Sequence, residues 1–533
     1  MGLIKSNIYK WHRSFSLIIA IPVLLWAASG FMHPLMTNIR PKIATQGLTP
    51  FPIDSSRIRM PLQAALRLHH LDSISNFRLV HIDTNWFYQV LPANHHSSTP
   101  VPVYLSCLNG NALPAGDWLY AQYLARQFLE GAATPPAIKP SAHDCCGAAT
   151  DCVLNPVKGA KVANVSLLRE YDLEYKSINK LLPVYRVSFN RPDGIRIYVE
   201  TTRDRFAFAM DDRRFIFDRI FTLVHTWAWL DFLGKGKLVV EFVLVAMAFL
   251  TTLMGIYIFF TTKSKKARGN ERVKARRNHR FSAIIIALFT LMFTFSGAFH
   301  ALSKFSDDTR DRFFVSPSFA PADLNFNFTQ LQEDVGDPII DIRIVSMYGH
   351  NYWQVTTQPS GGHLSGSRQP SSIMSGPATH SRDLMKDPQV IASPVTYIST
   401  DSPHSILPQG ERIYAGFLAG AFSGQPEKDI QASVPILRFS SEYNFADKRL
   451  PVWKISYTTH DNERYYVETS TGRLSKRVTD RSLTEEYSFA FLHKHEFMGW
   501  GGKSVKDFST MFWALAQVVM VVFGLILYFK YRS

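Results

Sequence analysis

The chain has no C-x-x-C-H run, which excludes covalent attachment of a c-type haem. Cysteine is scarce, four in 533 residues, and three of them crowd into one stretch, "AHDCCGAATDC". No small-residue cleavage site precedes Pro34 and Met36, so the first apolar run reads as a retained anchor and not as a signal peptide. Net charge is also missing from most of the chain. Of the net +15, the stretch Lys263–Arg280 carries +8, with nine Lys/Arg against Glu271. The first 13 residues carry +3, and Lys530 with Arg532 carries +2. What remains is nearly neutral, which disfavours a nucleic-acid surface as the meaning of the positive balance.

What is present is apolar sequence of membrane-spanning length. Four segments, 14–37, 238–262, 281–302 and 508–529, are predicted to be transmembrane helices. Each holds roughly 20 mostly apolar residues, enough at about 1.5 Å per residue to cross a hydrocarbon layer of about 30 Å. Basic residues beside membrane spans mark the cytoplasmic side. The termini (1–13 and 530–533) and the basic loop 263–280 are therefore expected in the cytoplasm. Two large segments, 38–237 and 303–507, are expected on the other side. For a bacterium this describes a multi-pass inner-membrane protein with periplasmic domains.

The chain also repeats itself. "HRSFSLIIAIPVLLWAASGFMH" (His12–His33) returns as "HRFSAIIIALFTLMFTFSGAFH" (His279–His300), each with histidines 21 positions apart. "LPVYRVSF" (Leu182–Phe189) returns as "LPVWKISY" (Leu450–Tyr457), and "YVETT" (Tyr198–Thr202) as "YVETS" (Tyr466–Ser470). "LVHTWAWLDFLGKGK" resembles "FLHKHEFMGWGGK", setting His225 opposite His493. Matches in one order at an offset of about 265–268 residues indicate an internal duplication. Each half reads as helix, α+β domain, helix. In the first domain Pro61–His70 and Asp117–Gly131 have helical spacing, while Phe77–Val90 and Val184–Met210 alternate like paired strands. Arg412–Phe422 and Val452–Lys476 play the same parts in the second, and the Ser/Gly/Pro-rich stretch Pro359–Asp383 reads as a loop.

With helices opening "WHRSF" and "NHRFS", and "LVH…FLG" and "FLH…FMG" ahead of the closing helices, the chain resembles PepSY-associated transmembrane proteins. That group includes iron-regulated inner-membrane proteins, and the nearest type is the siderophore-iron reductases of the ferrioxamine-reductase kind. The resemblance implies a four-helix, haem-containing membrane reductase acting on a periplasmic ferric siderophore, with two PepSY-like domains.

The histidines suit that expectation. An ionisable residue in a membrane span is costly unless partnered. Separation by 21 positions places His12 and His279 at the cytoplasmic face and His33 and His300 at the periplasmic face, about 31 Å away. Two imidazoles facing each other across a bundle can clamp one haem iron, so one or two non-covalent b-type haems are expected. His12 with His279 is the natural cytoplasmic pair. At the periplasmic end His33 with His300 is preferred, and the alternative that His225 and His493 each ligate across to the other half remains open. Gly30 and Gly297 would let a porphyrin approach the backbone, and Trp26 is placed between the two levels. His495, two positions after His493, is taken as a bystander, because residues two apart do not share a helix face.

No cytoplasmic segment is long enough for a βαβ nucleotide-binding unit. A membrane quinol or a separate cytoplasmic reductase must then supply the electrons. Cys145, Cys146 and Cys152 with His143 read first as periplasmic disulfide chemistry and second as a soft-metal site. Glu241, about one turn inside the second span, reads as snorkelling to the interface. The alternative function is a non-redox membrane protein whose PepSY-like domains bind or restrain a periplasmic protease or peptide; it predicts no cofactor.

Overall fold

The structure, a computed structural model, describes residues 2–93, 101–131, 160–264, 266, 269–304, 315–325, 327–358, 393–401 and 404–530. Cys145, Cys146, Cys152, His143 and the stretch 359–383 lie outside the described residues.

Four long helices are apolar enough to cross a membrane. In chain order the α-helices are α1 (Gly2–Asn38), α2 (Leu62–Leu68), α3 (Gly116–Glu130), α4 (Asp212–Val224), α5 (Lys235–Thr261), α6 (Glu271–Ser303), α7 (Phe328–Val335), α8 (Gly410–Ser423), α9 (Asp480–Ser488) and α10 (Gly502–Lys530). The membrane-length helices α1, α5, α6 and α10 form a square bundle. In it α1 packs on α5 and α10, and α6 packs on the same two. The helices outrun their apolar segments. α6 begins at Glu271, so the second part of the basic 263–280 stretch is helical and not loop. Asn270 caps it by accepting from the Val273 amide, and Lys and Arg are good helix formers.

Because the four helices alternate in direction, both folded units sit at one end of the bundle. The first unit contains the sheet β1 (Ile74–Ile82), β2 (Asn85–Pro92), β3 (Val103–Ser106) and the meander β4 (Val162–Leu168), β5 (Val184–Phe189), β6 (Arg196–Glu200), β7 (Arg205–Met210). The second contains β8 (Ile339–Met347), β9 (His350–Thr357), β10 (Val395–Ser399), β11 (Ile406–Leu407) and the meander β12 (Ile430–Ile436), β13 (Val452–Tyr457), β14 (Arg464–Glu468), β15 (Arg473–Val478). All strand pairs in these sheets are antiparallel. α3 packs on β3–β6 and α8 on β10 and β12–β15. Gly116 and Gly410 open these two helices because an added Cβ would come within 2.7 Å and 2.6 Å of the Tyr104 and Tyr397 side chains.

The two units are not independent. Phe77 and Tyr88 of β1 and β2 share one hydrophobic core with Ile342 and Trp353 of β8 and β9. Phe77 meets the Trp353 ring edge to face at 6.1 Å. A buried ring of charges closes the seam between the meanders. Arg449 reaches Glu468 at 2.6 Å and Glu200 at 3.3 Å, and Arg205 reaches Glu200 at 2.6 Å and pairs with Glu468 as well. The two arginines hold Glu468 well below the usual carboxylate range despite its burial. Each glutamate is thus bridged to both halves, so the last strands of the meanders keep one relative position. From those strands α4 and α9 descend to pack on α1 and α6 respectively.

Candidate functional site

α4 ends with His225 as its C-cap, and α9 runs into a five-residue π turn, Phe489–His493. Single π turns are frequent at functional sites. The two ends bring His225 and His493 together: their ring centres are 6.3 Å apart and their planes lie at 78°. Both are half-buried.

The serines before Gly30 and Gly297 decide which ring nitrogen stays free. Ser29 Oγ donates its only proton to the Leu25 carbonyl at 2.6 Å, so it accepts from His225 Nδ1–H at 2.9 Å. Ser296 Oγ donates to the Met292 carbonyl at 2.8 Å and accepts from His493 Nδ1–H at 3.1 Å. Each imidazole is thereby held as the tautomer whose Nε2 carries the lone pair. Desolvation pushes His225 down to about 4 and His493 well below the ordinary histidine value, so both rings are neutral at physiological pH. A metal ion between two opposed imidazoles, with bonds of about 2.0–2.1 Å and about 1.1 Å from nitrogen to ring centre, separates the ring centres by about 6.3 Å. The donor set and the spacing fit a two-coordinate protein clamp. Among the described residues no cluster of three or more His, Cys, Asp or Glu is arranged to hold a metal ion.

His33 and His300, the preferred sequence pairing, stand one ring further out. His33 packs on Phe221 at 5.1 Å, and Phe221 stacks on His225 at 4.6 Å. His300 stacks on Phe489 at 4.6 Å, and Phe489 stacks on His493 at 4.5 Å. His300 also pairs with Glu485, Nδ1 to Oε1 at 2.6 Å, whereas the position matching Glu485 in the first half is Phe217. The geometry places the phenylalanines between each outer histidine and its inner neighbour, and the inner rings are the two whose centres lie 6.3 Å apart.

At the other end His12 Nδ1–H donates to the Thr251 carbonyl at 3.0 Å, which again frees Nε2. His279 Nδ1 is buried without a partner. Each ring lies on a glycine of the next helix: a Cβ at Gly255 would come within 3.3 Å of His12 and one at Gly524 within 3.5 Å of His279. These two glycines were not among the sequence candidates. The recurrence of "GIYIFF" (Gly255–Phe260) as "GLILYF" (Gly524–Phe529) carried the signal.

Gly30 and Gly297 face neighbouring helices, Gly30 toward Ala514 of α10 and Gly297 toward Val245 of α5. Trp26 lies between the His12 and His33 positions of α1; it stacks on Trp227 at 4.8 Å and donates to the His225 carbonyl at 3.0 Å, so it braces the inner pair. His495 is fully buried, because the chain leaves the helix at Lys494 and turns back into the bundle through a left-handed φ of 52°. Glu241 stays near the helix start, 4.0 Å from Lys237.

Four membrane-length helices bearing two strand-rich units define a multi-pass membrane protein. A family model for the PepSY-associated TM region matches residues 189–531, and the chain belongs to that family. No curated protein matches the sequence.

Proposed function

We propose that the protein is a haem-containing inner-membrane reductase that passes electrons across the membrane to a periplasmic ferric siderophore and releases iron(II) for uptake. The observation that carries this reading is the facing pair His225 and His493, with free Nε2 atoms and a 6.3 Å ring separation. On this reading the two halves are copies of one unit, because a two-sided clamp takes one histidine from each. The termini are cytoplasmic and the folded units periplasmic.

Haem b, when bound, supplies a one-electron iron couple whose potential depends on its axial ligands. The chain does the rest. His225 and His493 would hold one haem, and His12 and His279 a second. Ser29, Ser296 and the Thr251 carbonyl fix the ring tautomers and keep the ligand nitrogens basic. The 17 residues from His12 to Ser29 put the two levels about 26 Å apart along α1. The electron donor is a separate molecule, quinol or a cytoplasmic reductase. Iron(II) is a softer ion, held less strongly by the hard oxygen ligands of such chelators, so reduction loosens it.

A visible spectrum of the purified protein, oxidised and after dithionite, tests the proposal, with haem quantified per chain. Sharp b-type bands on reduction, at one or two haems per chain, are the expected result. A colourless protein after expression with added haem precursor would overturn it in favour of a cofactor-free peptide-binding role.

A further inference from the structure

Two residues after the facing histidines, the halves part company. The first half has Trp227, the second has His495. Both adopt left-handed backbone, φ 45° and 52°, a conformation that bulky residues hold only when packing forces it. His495 Nδ1 is 3.0 Å from Ser509 Oγ. Its Nε2 is buried and has no hydrogen-bond partner. The surroundings are aromatic. Phe293 stacks on the imidazole at 5.1 Å, Phe289 approaches to 5.5 Å, and Phe289 in turn stacks on Trp513 at 3.6 Å. Ser509, Trp513 and Gln517 lie four residues apart on one face of α10, and the Gln517 side-chain nitrogen is also buried without a partner.

A buried imidazole nitrogen without a hydrogen-bond partner beside a membrane-length helix is expensive, and such groups mark binding sites. Phe289 lies near the middle of α6, ten residues from His279, so a ligand that met His495 would reach it from the apolar side of the bundle. It must be lipid-soluble, carry a flat ring to lie among Phe289, Phe293 and Trp513, and present a hydroxyl or carbonyl to Nε2. We propose that His495 with these three rings forms the binding site for a membrane quinol.

This assignment rests on the reductase reading and names its electron donor. One quinol loses two electrons and two protons to become quinone. Two ferric chelates each take one electron and become ferrous, and the two protons pass to solvent. Trp227 at the matching position offers no ring nitrogen with a lone pair, so the site belongs to the second half alone.

The test is equilibrium binding of decylubiquinone to the full chain in lipid nanodiscs, with haem quantified in every sample. Saturable binding at one site per chain is expected. His495→Leu and Trp513→Leu should each weaken it by about tenfold or more, and His495→Gln, which keeps a hydrogen-bonding group, by no more than about threefold. Phe232→Ala, at a site 81 % exposed to the surroundings, should leave it unchanged. Absence of saturable binding to haem-loaded wild type, or wild-type affinity in His495→Leu, would overturn the inference. Wild type that lacks haem would overturn the reductase reading, while His495-dependent quinone binding in that sample would uphold the site.

Discussion

The two halves of the chain agree where imidazoles face each other and differ in what stands behind them. His225 and His493 each have a matching serine, Ser29 or Ser296, a matching stacked phenylalanine, Phe221 or Phe489, and the same Nε2 freedom. Behind them, Trp227 is replaced by His495, and only His300 has a carboxylate partner. The seam between the folded units shows the same contrast. Lys180 pairs with the fully buried Asp447, whereas the matching Lys448 finds Asn179 at 2.7 Å and the Ala207 carbonyl. The serine and phenylalanine around each facing imidazole recur in both halves, whereas the contacts at the seam between the folded units have diverged.

The largest effect should come from breaking the matched pair. His225→Ala and His493→Ala should each abolish haem at that level, leaving at most the signal of His12 and His279, as read by haem per chain. Equal losses would uphold the symmetry of the clamp; retention in either variant would break it.

Glu468→Gln comes next. It strips one carboxylate from the buried charge ring while Arg205 and Arg449 remain, a situation that costs about 3–5 kcal/mol. The melting temperature of the purified protein should fall, and by more than in Glu200→Gln, because Glu468 also accepts from Thr471.

Ser29→Ala and Ser296→Ala should keep the fold but weaken haem retention by about 10–100-fold, the usual loss when the hydrogen bond behind a ligand is removed. A haem-transfer assay should give similar values for the two, since their geometry is alike. A one-sided effect would show that the halves do not share the load.

The smallest effect concerns Lys448. Burial, with the Arg214 charge, pushes its ammonium down to about 7. An unfolded lysine titrates near about 10.4. Between these values the unfolded chain binds a proton that the folded chain does not, so stability falls as pH drops through this window and levels off below it. Asn179→Asp supplies the missing carboxylate, restores the charged form and should flatten that slope in a melting series from pH 7 to 10. An unchanged slope would assign the pH dependence to another group.

Much of the fold was open to sequence reading because its signals are local and periodic. Apolar length marked all four membrane helices, and alternation marked β1 with β2 and β5 with β6 and β7. The shared core of Phe77 and Trp353 was not legible, because nothing in either strand says that its partner lies 276 residues away. The same limit applied to the histidines. His33 and His300 stand at helix ends and look like a pair in sequence, but pairing depends on which side of the helix each ring leaves. His495 looked idle because helical spacing was assumed through Lys494, where the chain turns.

By itself the sequence determined the number of membrane helices, the recurrence of the two halves and the set of histidines worth testing. Those follow from composition, length and repetition, which are properties of neighbours along a chain. Only the tertiary structure decided that His225 faces His493, that Gly255 and Gly524 seat the other two imidazoles, and that His495 turns inward with a nitrogen unpaired. Those depend on the relative rotation of packed helices and on one left-handed residue, and a rotation about a helix axis leaves no trace in the order of residues.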